Sequence, residues 1–260
     1  MLGIGKTNDQ KMLRIISVLV CLFILGLNAS AQKVDSTLIS RYRPGFMWFY
    51  SGVHSAKWLN VAKYDRLIVD VVYNDWGSNA FSFFKSNWKS IGFNIQSFYD
   101  TPLNKKNTVG IGWGIGYGHS RIESNYILNQ TINPNATFLI INPANSGIEK
   151  SSFTTNQIFV PIELRLRTAG WQHFKFQLGG RIGYSFLPKK HLFSRNDEGK
   201  LVENIADDFK DFNHFLVAAH ARIGIRNWAL TASYNLMPYF KNKQSTQING
   251  LELGLSISLF

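Results

Sequence analysis

The chain has 260 residues, with 28 Lys+Arg against 16 Asp+Glu for a formal net charge of +12, and a mean hydropathy of −0.09. A polytopic helical membrane protein would need repeated apolar runs of about 20 residues, and only one apolar stretch stands out, near the N-terminus. With 20 Phe, 10 Tyr and 7 Trp the chain is no solvating tail, which leaves a soluble globular protein or a β-barrel whose alternating lipid-facing signal cancels in averaged hydropathy.

Lys11 and Arg14 precede an apolar run from Ile15 to Leu27, and Ala29-Ser30-Ala31 follow before Gln32. A positive start, a short apolar core and a small-x-small site form the pattern of a secretory signal peptide, with Met12 as a second possible start. The run is too short for a transmembrane helix. The only cysteine, Cys21, falls inside it, so a chain cleaved after residue 31 has no disulfide and no thiolate chemistry. That chain would keep 25 basic and 15 acidic residues, a formal charge of about +10. Residues 32–63 read as a periplasmic N-terminal arm, in which Phe46-Met-Trp-Phe-Tyr50 shows no alternation.

From residue 64 onwards the sequence alternates with period 2, the signature of strands. Leu67, Val69, Val71 and Tyr73 oppose Asp70 and Asn74; Ile91, Phe93, Ile95 and Tyr99 oppose Gly92, Asn94, Gln96 and Asp100. Val109, Ile111, Trp113, Ile115 and Tyr117 oppose Gly110, Gly112, Gly114, Gly116 and Gly118. Ile158, Val160, Ile162, Leu164 and Leu166 oppose Glu163, Arg165 and Arg167. Phe174 to Phe186 opposes Lys175, Gln177, Gly179, Arg181, Gly183 and Ser185. Phe215 to Ile225 opposes His214, His220, Arg222 and Arg226, Trp228 to Leu236 opposes Thr231, Ser233 and Asn235, and Leu251 to Leu259 opposes Glu252, Gly254, Ser256 and Ser258.

Eight such segments, mostly longer than the five or six residues usual in globular strands, suit a bilayer crossing of about 9–11 tilted residues. A soluble sandwich would turn the polar face outwards, but here that face is small and Gly-rich with a few charges, which suits the inside of a narrow closed barrel. Longer connections at 77–87, 123–156, 188–211 and 241–248 alternate with short ones at 101–107, 170–172 and 227, the order expected of outer loops and periplasmic turns. Tyr99, Trp171, Phe174 and Trp228 flank the short turns, where an interfacial girdle belongs. The expectation is all-β: an eight-stranded antiparallel up-and-down transmembrane β-barrel over residues 64–260, integral to a bacterial outer membrane.

The chain ends Leu255-Ser-Ile-Ser-Leu-Phe260, a closing strand on a terminal Phe. Together with Tyr64-Asp-Arg-Leu-Ile-Val-Asp-Val-Val-Tyr-Asn-Asp-Trp76, Ile91-Gly-Phe-Asn94 and Val160-Pro-Ile-Glu-Leu-Arg-Leu-Arg167, it resembles the PorT-like outer-membrane β-barrel proteins and the broader small-barrel group of the OmpA and OmpX membrane domains. The resemblance implies contact with outer-membrane lipid, recognition of the last strand by the barrel-assembly machinery, and a periplasmic or secretion-system protein partner. No catalytic residue carries over.

Chemistry-bearing motifs are scarce. In Gly110 to Gly118 each dinucleotide frame places Trp, Ile or Tyr where the last glycine belongs, so this is an inward stripe that leaves lumen space for Arg side chains of other strands or for the N-terminal segment. His119 and Ser120 are adjacent on a strand and point apart, and His214 and His220 lie about 20 Å apart, too far for one metal. Inward Glu163, Arg165, Arg167, Lys175, Arg181, Arg222, Arg226 and Glu252 form a basic-dominated lumen, read as a salt-bridged core or, alternatively, as an anion-attracting pathway. No cofactor, metal or nucleic-acid partner is implied. The expected function is a non-enzymatic structural or interaction barrel, an accessory of secretion or envelope assembly, with a narrow anion-preferring small-solute pore as the alternative.

Overall fold

The computed structural model describes residues 67–77, 86–104, 108–131, 135–141, 147–168, 174–195, 199–225 and 227–259. The signal peptide, the N-terminal arm, Trp171, Arg226 and Phe260 lie outside the described residues. Eleven strands follow in order: β1 (Leu67–Gly77), β2 (Ile91–Pro102), β3 (Val109–Ser124), β4 (Tyr126–Thr131), β5 (Ala136–Ile141), β6 (Ile148–Arg167), β7 (Phe174–Arg195), β8 (Leu201–Ala206), β9 (Phe215–Ile225), β10 (Trp228–Asn235) and β11 (Asn249–Ser258).

Nine strands form one antiparallel sheet in the order β6-β3-β2-β1-β11-β10-β9-β7-β8, and an additional β6–β7 pairing closes it. Eight of them make the ring, each neighbouring the next ring strand in sequence, with β1 returning to β11 through pairs such as Val71↔Leu255. Closure leaves the ring without an edge. The ninth strand, β8, is appended to the far end of β7. β4 and β5 form a separate hairpin.

The two faces separate by parity. Along β2 exposed and buried residues alternate from Ile91 to Asp100, and along β3 the glycines 110 to 118 are buried while Ile111, Trp113, Ile115 and Tyr117 are exposed. The outward residues of the ring strands are predominantly apolar, with Ser97 of β2 a polar exception. Phe215–Ile225, at 11 residues, rises about 25 Å along the barrel axis once a strand tilt near 40° is allowed for, the height of a bilayer's apolar band. Tyr99 packs against Trp113 at 5.5 Å between ring centroids, and Phe174 and Trp228 are exposed at the same end.

Two segments expected as loops are largely strand. β3 and β6 pair as far as Ser124↔Ser151, and β4–β5 occupies the stretch between them. β6 and β7, with 20 and 22 residues, extend beyond the apolar band together, and β8 adds to that extension. The change comes at Leu187, which has φ of 51° beside a register shift between Thr154 and Asn156. A β-bulge there re-aims the two strands as they leave the bilayer. Pro161 lies within β6, and the β3–β6 register passes from Trp113↔Ile162 directly to Gly116↔Phe159. A proline has no N–H to give that ladder.

Candidate functional site

The inward face of the ring holds a connected charge network. Glu163 on β6 accepts from Arg165 Nε at 2.9 Å on one oxygen, and on the other it meets His220 Nε2 at 2.6 Å and Arg222 Nη1. Arg222 on β9 also donates to Asp70 of β1 at 3.0 Å and to the Ser256 hydroxyl at 3.2 Å. Asp70 accepts further from Gln96 at 2.5 Å and from Ser256. Asp100 on β2 receives Arg165 at 3.3 Å and Arg167. Towards the other end Arg181 pairs with Glu252 at 3.0 Å, which also accepts from Asn94 and Gln157. Lys175 donates to Ser258 at 3.0 Å.

Burial is extreme: Arg165, Lys175, Arg181 and Arg222 are each at most 1% exposed. Charges so far from water survive only when paired and hydrogen-bonded. Aromatic faces complete their cover, with the Arg165 guanidinium 4.1 Å from the Phe98 ring and that of Arg181 4.9 Å from Phe159. The inward glycines make the room. A Cβ added at Gly112 would meet the Arg165 guanidinium, at Gly116 the Phe159 ring, at Gly118 Asn94 and Gln157, at Gly114 the Ser97 carbonyl, and at Gly110 the Thr101 carbonyl. The stripe is therefore filled by neighbouring strands.

Asp70 and Asp100 bring the basic-dominated lumen expected from the sequence close to neutral. Among the described residues, Arg165, Arg167, Lys175, Arg181 and Arg222 face Asp70, Asp100, Glu163 and Glu252, a nearly balanced set. Parity alone places Asp70, Asp100 and His220 inward, but which charge meets which across the lumen depends on the registers of distant strands.

The end bearing the longer connections is closed by a second, apolar cluster. Trp76, Ile122, Tyr126, Leu128, Leu139, Phe153, Phe209, Phe212, Phe240 and Ile248 are buried together. Phe153 sits at the centre, edge-on to Phe209 at 5.6 Å and to Tyr239 at 6.0 Å. Asp211 pins the surrounding segments, accepting from the Thr137 amide at 3.0 Å, its hydroxyl at 2.7 Å and Ser245 at 2.5 Å. Thr246 donates its amide to Thr137 O at 3.0 Å. Hence the β4–β5 hairpin, residues 207–214 and residues 236–248 form one folded cap. Burial and the nearby Glu252 carboxylate push the Tyr239 phenol above its ordinary range. Burial also lowers Lys190, whose ammonium donates to Leu128 O at 3.0 Å.

His119 is half-buried on the outward side, where Nδ1 lies 3.0 Å from Asn156 Oδ1, whereas Ser120 is buried inward. On the extension, His191 joins Glu203 at 2.7 Å through Nδ1 and Thr154 at 3.4 Å through Nε2, across three strands. That row has the order of a hydrolytic triad. At 3.4 Å the hydroxyl contact is at the outer limit of a hydrogen bond, and what the row does is clasp β8 to β7.

A closed up-and-down ring with an apolar outside, a charged inside and a folded cap defines an integral transmembrane β-barrel. The chain belongs to the family described as outer membrane protein beta-barrel domain, whose pattern it matches over residues 25–238. It is an integral protein of the bacterial outer membrane. Solved structures similar to it include Ail, the attachment invasion locus protein of Yersinia pestis, at 12% identity with a TM-score of 0.32, covering 74% of this chain and 95% of that one. Neisserial surface protein A is similar at 12% identity with a TM-score of 0.34 over the same shares. Among curated proteins none matches the sequence.

Proposed function

We propose that this is a non-conducting, non-enzymatic barrel whose work is done by its cap and extension as an interaction surface, serving as an accessory of protein secretion or envelope assembly. The observation that carries the reading is the filled lumen: four cations at most 1% exposed, each held by acceptors from other strands, occupy the space a solute would need. An eight-stranded ring is only wide enough for its own side chains. The near balance of inward charge also removes the reason for anions to enter, which argues against the small-solute pore. In the membrane the cap faces outwards and the short turns face the periplasm. The assembly machinery engages β11, which closes the ring between β1 and β10.

The test is electrical and biochemical together. Planar-bilayer recording of the purified barrel should give no stable openings, and mild detergent extraction should retain protein partners that a cap-disrupting Phe153→Ala variant loses. Reproducible anion-selective openings would overturn the reading.

A further inference from the structure

The ring has no edge, but the strand appended to it does. β8 pairs along its whole length with β7, from Lys190↔Ala206 to Arg195↔Leu201, and among the described residues no strand pairs with its other side. All six residues of β8 are exposed, with Leu201 at 51% and Ile205 at 57%, so neither face is covered. Natural edge strands are blunted by proline, lysine or a bulge, because unpaired backbone groups template a further strand. β8 has none of these. Its one charge, Glu203, is held by His191 of β7.

The sequence around this edge is complementary to itself. Antiparallel pairing with Asn204 opposite Asn204 sets Val202 against Ala206 and Glu203 against Ile205, with no like charges opposed. It also brings exposed Lys200 of each copy to the exposed Asp207 and Asp208 of the other. We propose that β8 joins edge to edge with β8 of a second copy, making one antiparallel sheet across two molecules.

Membrane geometry then decides where the second copy lies. The two-fold axis of an antiparallel pair stands perpendicular to the sheet. Because β8 lies along β7, whose pairing with β6 continues the ring wall past the bulge, we take that axis to lie close to the membrane plane, which turns one barrel upside down. Two barrels in one membrane can be related only by an axis along its normal, which runs both strands the same way and turns equal residues to opposite faces, so no ladder forms. The contact therefore bridges two apposed membranes: a homotypic adhesion. This rests on the reading of the outer end as an interaction surface and names its partner as the same chain.

The test uses the full-length barrel in phosphatidylcholine vesicles, cap outward as checked by protease accessibility, with clustering followed by light scattering. Wild-type vesicles should cluster in proportion to barrel density. Lys200→Asp vesicles alone should cluster at least tenfold more slowly, as should Asp207→Lys/Asp208→Lys vesicles alone, while a mixture of the two should recover, because each supplies the charge the other lacks. Ile205→Glu, which sets carboxylate against Glu203, should cluster in no combination. The substituted residues are all exposed, Ile205 on β8 and the others directly flanking it, and heat-modifiable gel migration confirms that each barrel is folded. Absence of wild-type clustering, or a mixture no better than its components, overturns the proposal. Either result beside negligible conductance leaves the filled-barrel reading standing, whereas stable conductance would sink that reading first.

Discussion

Glu163→Gln is the most informative single change in the lumen. The carboxylate is buried and accepts from Arg165, His220 and Arg222, strands β6 and β9 meeting on one side chain. Glutamine keeps the shape and one acceptor, but its amide turns two donors towards cations and the neutralising charge is gone. Asp100 still serves Arg165 and Asp70 still serves Arg222, so the barrel should close. Removing one partner of a buried ion network costs about 3–5 kcal/mol, and 1.4 kcal/mol is a factor of ten, so the unfolding equilibrium should shift by roughly two to three and a half orders of magnitude. Urea unfolding in micelles, followed by tryptophan fluorescence and heat-modifiable migration, reads this directly. On an Arg222→Met background the same change should cost less, since one of the cations it strands has already been removed. A loss below about 1 kcal/mol, the size expected for an exposed ion pair, would refute the claim that this network is dry and mutually dependent.

Other outcomes follow from the same geometry. Gly114→Ala should impair closure more than Gly112→Ala, because the new methyl meets the fixed Ser97 carbonyl in the first case and the end of a long arginine in the second; refolding yield measures the difference. Phe153→Ala removes the centre of the cap and should cost about 3–5 kcal/mol of cap stability; limited proteolysis should then cut within 125–147 or 207–214 while the ring stays folded. For Tyr239 the sign is set by its raised pKa. The unfolded chain loses this proton near pH 10 while the folded cap holds it, so its contribution is complete below pH 10 and falls as pH rises above it. Tyr239→Phe should flatten that alkaline loss, which thermal melts from pH 9 to 12 can follow.

How much of this was legible in the sequence depends on what water and lipid impose. Inside the bilayer nearly every outward position is apolar, so the eight ring strands are legible by parity, and Glu163, Arg165 and Gly112 fall on the opposite face. Above the bilayer that rule lapses. β8 is exposed on both faces and β6 from Ile148 to Thr155 is largely polar, so neither alternates and both read as loop. Asp70 and Asp100 carried an inward signal from the start, yet their partners Arg222 and Arg165 lie on strands far along the chain, and no local pattern encodes a pairing fixed by ring closure.

The glycine stripe and the buried arginines are two sides of one constraint. A narrow ring has a fixed internal volume, and a long guanidinium needs more than an equal share of it. β3 therefore gives up side chains where β6 spends them: Gly112 lies opposite Glu163 and under Arg165, and Gly116 lies opposite and under Phe159. The arginines in turn tie β6, β7 and β9 to β1, β2 and β11 through Asp70, Asp100 and Glu252. These are bonds across the lumen, so they hold the ring round as well as shut. A chain without a cysteine beyond residue 21 can in this way brace a thin-walled barrel from within. The same filling takes up the space a solute would need, and this is the ground on which we propose a role for the cap and β8 and not for the lumen.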